Sequence, residues 1–481
     1  MANIRPTVEK IGGTSMVDYA AVRDNIFKKK DDESPYARVF VVSAYAGMTN
    51  HLLRDKKTGQ PGVFALFKQD PTSSAWRVCL DSVKEAMLDL NGKLFADHAP
   101  LLREANHFIG TRVDEVKDQL ATVGKLLETG FFEAESSLPQ CEEMLACLGE
   151  AHSAWNLAHL IEADLGYNTQ FVDLSAWQDQ DFETQEQLLK DSFSKLDLGN
   201  VLPVVTGYSR SEDGMMKRYG RGYTEMTMSY LAVMLHASEA IIHKEFHLSS
   251  ADPRLVGVGI ARTLDTTDYD IADQLSHYGM EAIHPEAARG MRQSAIPIRV
   301  KNTFDPEHPG TLIGTDEEQY DRVEIIASRD DVVNINTFDH DMLGNLPEAN
   351  QYIHDLVDEL GGDYISSTHS ANSVGVVATM PREQQKRLVE ELDKHWPDGS
   401  CESESVAQIG VLGRGMEMGR VLRDGINALL SGDVKVLGAS TGHRDIEVRF
   451  VVPASQHDRA VVQLHSALVV GDKSSSEESA A

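Results

Sequence analysis

Residues 7 to 16 read Thr7-Val8-Glu9-Lys10-Ile11-Gly12-Gly13-Thr14-Ser15-Met16, a short β-branched run that breaks into a glycine pair. Val17, Ala21, Val22 and Ile26 then recur at helical spacing, so the segment predicts a strand, a tight turn and a helix start. Two glycines let backbone approach a ligand and aim its N–H groups, Thr14 and Ser15 add hydroxyls, and the helix N-terminus adds partial positive charge. Phosphate suits such a turn. Lys10, just ahead of it, can carry an ammonium on a flexible stem to phosphoryl oxygens. The order G-x-x-x-x-G-K-[ST] is absent, because the lysine precedes the glycines, so this is not a P-loop. An ordinary strand-to-helix turn uses the same residue types, and taken alone the stretch leaves both readings open.

The next buried-strand pattern, Arg38-Val39-Phe40-Val41-Val42, ends in Ser43-Ala44-Tyr45-Ala46-Gly47-Met48-Thr49-Asn50. Near-continuous apolar strands alternating with helices predict a parallel, doubly wound sheet, whose ligands sit beyond the carboxyl ends of its strands. Ser43 and Thr49 fall at such an end. Residues 51 to 138 read as a loop and polar helices without chemistry. A helix over residues 140 to 163 carries Met144, Leu148, Ala151 and Trp155 on one stripe, with Gly149-Glu150 in its middle. A mid-helix glycine is costly and implies that something approaches closely there. Strands are predicted at Thr169 to Leu174 and Val201 to Thr206. Tyr219-Gly220-Arg221-Gly222-Tyr223-Thr224-Glu225 then runs into a helix from Met226 to His236. An arginine between glycines at a helix mouth presents the planar fork that grips a carboxylate, and Glu225 in the first turn can position reacting groups.

The 481 residues suffice for two to three domains, and 75 acidic against 45 basic residues give a formal charge of -30. With no long basic run, nucleic acid and anionic membrane surfaces are excluded as partners, and substrate anions must be drawn in by local cations. Cys79, Cys141, Cys147 and Cys401 show no C-x-x-C spacing and make no disulfide scaffold. With no apolar leader at the N-terminus and no membrane-length run, a cytoplasmic protein is expected.

The motifs together resemble the aspartate kinases of the amino acid kinase superfamily. K-[FYI]-G-G-T-S matches Lys10 to Ser15, S-A-x-x-G-x-T-N matches Ser43 to Asn50, L-G-E-x-x-S matches Leu148 to Ser153, and Ala251 to Arg254 is the family's A-D-P-R. The resemblance implies a three-layer αβα amino acid kinase domain over residues 1–315, using ATP with Mg2+ and no protein metal site. Lys10, Gly12, Gly13, Lys244 and Arg254 would hold the nucleotide. Ser43, Thr49, Glu150 and Arg221 would hold L-aspartate, and Lys10 and Glu225 would carry catalysis. The implied reaction phosphorylates the side-chain carboxylate to 4-phospho-L-aspartate, the first step toward aspartate-family amino acids. The form of the first motif, the Gly-Arg-Gly-Tyr-Thr-Glu loop and the acidic bias resemble the ectoine-associated subgroup.

Departures accompany the matches. Glu225 stands where the family has aspartate; His243, Lys244 and Ser249 replace the usual nucleotide segment; Glu281 replaces a lysine. The expectation is that Lys244 supplies the cation lost at position 281. Past an acidic linker at 316 to 321, a strand, helix, strand, strand, helix order repeats twice at a period of about 70 residues. This resembles paired ferredoxin-like ACT regulatory domains, expected at 322–395 and 400–470, before a disordered tail at 471–481. Gly413-x-Gly415-x-x-x-Gly419 has the wrong spacing for a dinucleotide fingerprint and reads as the loop before an ACT helix. An amino-acid effector there and a homodimer are implied. The rival readings are another amino acid kinase, such as one acting on glutamate or acetylglutamate, and a catalytically silent amino-acid sensor.

Overall fold

The computed structural model describes residues 5–29, 33–55, 58–280, 282–314, 322–442 and 444–471. It divides into two compact units: Met1–His247 with Ile283–Thr315, and Leu248–Ala282 with Asp316–Ala481. The expected linker at 316 to 321, Glu281, and the tail from residue 472 onward lie outside the described residues.

In the first unit, β1 (Thr7–Ile11), β2 (Arg38–Val42), β3 (Thr169–Val172), β4 (Leu202–Thr206) and β5 (Glu239–Lys244) form a parallel sheet in the order β3-β4-β2-β1-β5. Strand Ile298–Asn302 continues it in parallel beside β5, and Thr311–Gly314 turns back antiparallel. Every residue of β2 and of β4 is buried, as a strand covered on both faces requires.

Successive side chains of a strand point to opposite faces. Ile11, Phe40 and Val42 therefore face one layer, where they pack with Ile26 and Phe27 of the first helical segment and with Ala154, Leu157 and Ile161 of helix Ala134–Leu165. Lys10 faces the other layer and meets helix Tyr223–Met234. The first helix starts at Tyr19, where the Asp18 side chain accepts from the Ala21 N–H, and widens to π-helical turns over Val22–Phe27.

Glu9, one residue from Lys10, shares the face of Ile11 and is buried. Arg38 donates from Nε to Glu9 Oε1 at 2.6 Å and from Nη2 to Glu9 Oε2 at 2.9 Å, and His243 Nε2 lies 2.8 Å from Oε2. Burial pushes the Glu9 carboxyl up, but the Arg38 charge and the His243 contact outweigh it and hold it well below the usual range. His243, expected from its place in the sequence to face the nucleotide, is thus committed to this cluster on the opposite face. The pleat decides this, because Lys244 rather than His243 shares the face of Lys10.

The second unit carries a six-stranded antiparallel sheet. Strand Arg322–Phe338 pairs along most of its length with Ser400–Arg414, and a register shift between Val406 and Gln408 splits the ladder into halves. Phe338 to Val332 opposes Ser400 to Val406 beside Ser373–Thr379 and Asp363–Ser370; Arg329 to Arg322 opposes Gln408 to Arg414 beside Glu447–Pro453 and Gly438–Thr441. Each half is a ferredoxin-like sheet with its own helix pair, Leu346–Glu359 with Arg382–His395 and Met418–Ser431 with His457–His465. The two long strands run through both halves, so the sheet does not part between 395 and 400. Strand Ser373–Thr379 and helix Arg382–His395 complete the first of the two expected repeats. Gly413 needs its missing side chain because a Cβ there would overlap the Arg322 carbonyl oxygen of the facing strand.

Residues 248–282, expected within the first domain, join this unit. Ala251 and Val256 pack into the core with Ile409, Val411 and Phe450. The Tyr278 hydroxyl donates to Glu447 at 2.6 Å, and its ring occupies the space a side chain on Gly410 would fill.

Replacing Glu9 by Gln leaves the Arg38 guanidinium buried without its anion, a change that costs about 3–5 kcal/mol when one partner of a buried pair is removed. The variant should show a lowered thermal transition at neutral pH. Because the Glu9 carboxyl is held low, its contribution is present above its unfolded value and lost as pH falls through the folded one. The gap between parent and variant should therefore narrow in acid.

Candidate active site

The carboxyl ends of β1, β2, β4 and β5 bring together the residues singled out in the sequence except Arg254, which belongs to the other unit. A Cβ on Gly13 would overlap the Ala44 carbonyl oxygen, so the turns after β1 and β2 touch backbone to backbone, and Ala46 N–H donates to Gly13 O at 3.1 Å. A Cβ on Gly149 would overlap the Ala44 side chain. The close approach expected at this mid-helix glycine is thus the loop carrying Ser43, whose carbonyl also accepts from the Ser153 hydroxyl at 2.9 Å. The Gly12 N–H is taken by the His243 carbonyl at 3.2 Å, while the N–H groups of Gly13 and Thr14 meet no acceptor among the described residues. An anion cradle at this turn therefore rests on Gly13 and Thr14 and not on Gly12.

Lys10 Nζ lies 3.1 Å from Glu225 Oε1, and the His284 backbone N–H donates to Glu225 Oε2. Burial pushes the Glu225 carboxyl up, but the Lys10 and Lys244 charges and the His284 N–H hold it below its ordinary value. The group is an anion between two lysines, with the extra methylene of glutamate spanning from its helix to Lys10. Glu225 sits in the first turn because the helix opens at Tyr223, after a short 3-10 turn at Gly220–Gly222. Thr227 Oγ1 donates to the Gly207 carbonyl at 2.7 Å and pins that helix to the end of β4.

On the far side of the Ser43 loop, Glu150 is buried in its helix. Its Oε1 accepts from the Tyr223 hydroxyl at 2.6 Å and from the Ala44 N–H at 3.3 Å, and its Oε2 has no hydrogen-bond partner among the described residues. Burial pushes the carboxyl up to about 7, against the Tyr223 and Ala44 donors, which favour the ionised form. A half-satisfied buried carboxylate beside an open loop is equipped to take a cationic ligand. Arg221 donates to the Asn50 side-chain oxygen and to the Arg54 carbonyl, which anchors the Gly-Arg-Gly turn to the helix Met48–Leu52 that carries Thr49. The Ser43 and Thr49 hydroxyls take no hydrogen bond among the described residues.

With this geometry, the comparisons with known proteins are direct. The amino acid kinase family matches residues 5–302. An aspartate kinase of Stutzerimonas stutzeri strain A1501, Ask_Ect, is 39% identical over 465 residues, covering 96% of this chain and 97% of that one. The chain belongs to the aspartate kinases of the amino acid kinase family. An aspartokinase of Candida albicans is 30% identical over 322 residues, 64% of this chain and 57% of its own length. Aspartokinase III of E. coli, solved with lysine and aspartate, shares the fold at a TM-score of 0.73 and 20% identity, with 96% of this chain and 99% of that one covered. Its complex with aspartate and ADP matches at 0.69 over the same shares.

Within this aspartate kinase chain, the contacts of three residues escaped sequence reading. Tyr223, just after Gly222, reaches Glu150; Asn50 receives Arg221; His284 supplies the N–H on Glu225 and places its imidazole where a side chain on Gly222 would stand. Tyr223 stands out in the sequence as the bulky residue in a glycine-rich loop. Arg254, in the other unit, is exposed, and its guanidinium pairs with Asp252 at 2.6 Å. Among the described residues no group of three or more His, Cys, Asp or Glu is disposed to hold a metal, and no helix is long and apolar enough to cross a membrane.

The raised Glu150 carboxyl sets a pH profile. If its ionised form receives the substrate, kcat/KM for the amino acid should climb about tenfold per pH unit below about 7 and level off above, since this ratio reports free-enzyme ionisations. Tyr223→Phe removes a donor that favours the carboxylate, so its inflection should move to higher pH. An unchanged profile in both Tyr223→Phe and Glu150→Gln would remove Glu150 from substrate binding.

Proposed function

We propose that this chain transfers the γ-phosphoryl group of ATP to the side-chain carboxylate of L-aspartate, with the chemistry centred on the Lys10–Glu225 pair beside the Gly13 turn. The supporting observation is that this pair and the half-satisfied Glu150 flank one loop, residues 43 to 50, at the carboxyl ends of adjacent strands. On this reading Lys10 and the N–H groups of Gly13 and Thr14 stabilise the transferring phosphoryl group. Glu225 holds Lys10 in place, and Lys244 adds a second cation on the same face. Glu150 receives the substrate ammonium. Arg221 takes the α-carboxylate by exchanging its contacts with Asn50 and Arg54. The Ser43 and Thr49 hydroxyls complete the acceptor site. Because the attacking carboxylate is already ionised, positioning and charge stabilisation account for the rate without a strong base.

Mg2+ would enter on the nucleotide phosphates and neutralise their charge. The second unit is proposed to act as a regulatory module that binds a free amino acid. Its outer strands Asp363–Ser370 and Gly438–Thr441 leave edges for a second copy, which supports a homodimer. Free cysteines and the acidic composition suit a cytoplasmic enzyme, and the 39% identity to Ask_Ect supports the ectoine-associated subgroup.

A coupled ADP-release assay should show turnover with L-aspartate and little with glutamate or acetylglutamate; no turnover with any of them would favour a silent sensor. Lys10→Ala should lower kcat by about 10²–10³-fold with the thermal transition kept. Arg221→Ala should raise the aspartate KM far more than the ATP KM, and equal effects would refute its role. Light scattering should give twice the chain mass; a monomer at micromolar concentration would count against edge pairing.

A further inference from the structure

A second charged cavity, of about 460 Å³, lies within the first unit on the face of β1 that carries Glu9 rather than Lys10. Among the described residues four cationic side chains line it, Arg5, Lys29, Arg38 and Lys301, against the carboxylates of Glu9 and Glu33. The Glu9 charge is already matched by Arg38 within the buried cluster with His243. Arg5 is held on the carbonyls of His236 and Ala237 at 3.0 and 3.3 Å, which fixes its guanidinium without neutralising it. The ammonium groups of Lys29 and Lys301 form no ion pair among the described residues. Arg38, about nine-tenths buried, keeps a third guanidinium nitrogen, Nη1, itself buried and without a hydrogen-bond partner among the described residues.

Among the described residues this excess of cations over carboxylates stands out in a chain of formal charge -30. Burying cations together is unfavourable unless an anion joins them. The Lys29 ammonium registers that cost: burial and the Arg38 charge push its pKa down, the Glu9 and Glu33 carboxylates push it back up, Lys301 pushes it down again, and the net shift is downward. The cations also arrive from separate segments: Lys29 from the end of the first helix, Arg38 from β2, and Lys301 from strand Ile298–Asn302. Donors converging from several directions match a tetrahedral anion with oxygens on every side better than a planar carboxylate, which offers two oxygens along one edge.

We propose that this cavity is a second anion site, separate from the turn after Lys10, that binds a phosphate-type dianion through the Lys29 and Lys301 ammonium groups, with the guanidinium charges of Arg5 and Arg38 beside them. The site does not depend on the catalytic reading, since none of its residues has a role there. Its occupant would rest against the cluster that holds Glu9, the residue next to Lys10.

Calorimetric titration of the full chain with inorganic phosphate tests the site, run in a Lys10→Ala background to weaken competing binding at the catalytic turn and at one ionic strength throughout. Phosphate should still bind the Lys10→Ala protein. Adding Lys29→Gln and Lys301→Gln should weaken that binding tenfold or more, with the phosphate-free thermal transition unchanged. Glu33→Gln, which removes a carboxylate facing the cavity, should tighten it, and this arm stands whether or not the triple variant folds. Equal affinity in the triple variant and its Lys10→Ala parent, or no binding in that parent, would overturn the proposal. Tighter binding of malonate than of phosphate would overturn the choice of a tetrahedral ligand.

Discussion

Strand β1 lies between two parallel neighbours, and the alternation of its side chains organises both layers of the first unit. Glu9 and Lys10 are consecutive, oppositely charged, and sent to opposite faces. Each finds its counter-charge on a different element, Arg38 on β2 and Glu225 on helix Tyr223–Met234. A slip of one residue would put the carboxylate against Glu225 and the ammonium against Arg38, placing like charges together on both faces. Two buried ion pairs thus guard one register, which gives this strand a specificity that apolar packing alone would not supply.

The same register locates the chemistry. With Lys10 facing the helix layer, the glycine turn that follows carries its open N–H groups to the end of the sheet. The contact of Gly13 with Ala44 then ties that turn to the loop after β2. Helix Ala134–Leu165 meets the same loop through Gly149, so Glu150 comes to it from the opposite layer to Glu225. One short loop is held by backbone contact on two sides and carries an acidic side chain at each flank, one held low by lysines and one raised by burial. Two carboxylates in separate environments can serve separate ends of a substrate.

Much of this was legible in the sequence, and the parts that were not share a cause. Lys10, Gly13, Glu150 and Glu225 were readable because they sit in ordered motifs at the ends of apolar strands, where period and turn chemistry agree. His243 was misplaced because a motif alignment gives position along a strand but not the face, and the face is set by pairing with β1. The contacts of Tyr223, Asn50 and His284 were hidden because their partners lie far along the chain, and local patterns mark a residue without naming what it touches. The membership of residues 248–282 was equally hidden, since it depends on Ala251, Val256 and Tyr278 finding a core built from residues beyond 400.

The strands shared across the second unit have a consequence for how that unit comes into being. Arg322 to Arg329 pair with Gln408 to Arg414, so the chain must complete a detour through a whole ferredoxin-like half before the earlier segment meets its partner. Closing so long a loop is slow, and the enclosed half, whose own contacts are more local, is free to form first. On a ribosome the emerging Arg322 segment waits with an exposed edge until the later strand arrives, and Ala251 and Val256 wait longer still. The second unit is therefore built from the inside outward, with its first-synthesised residues among the last to be secured.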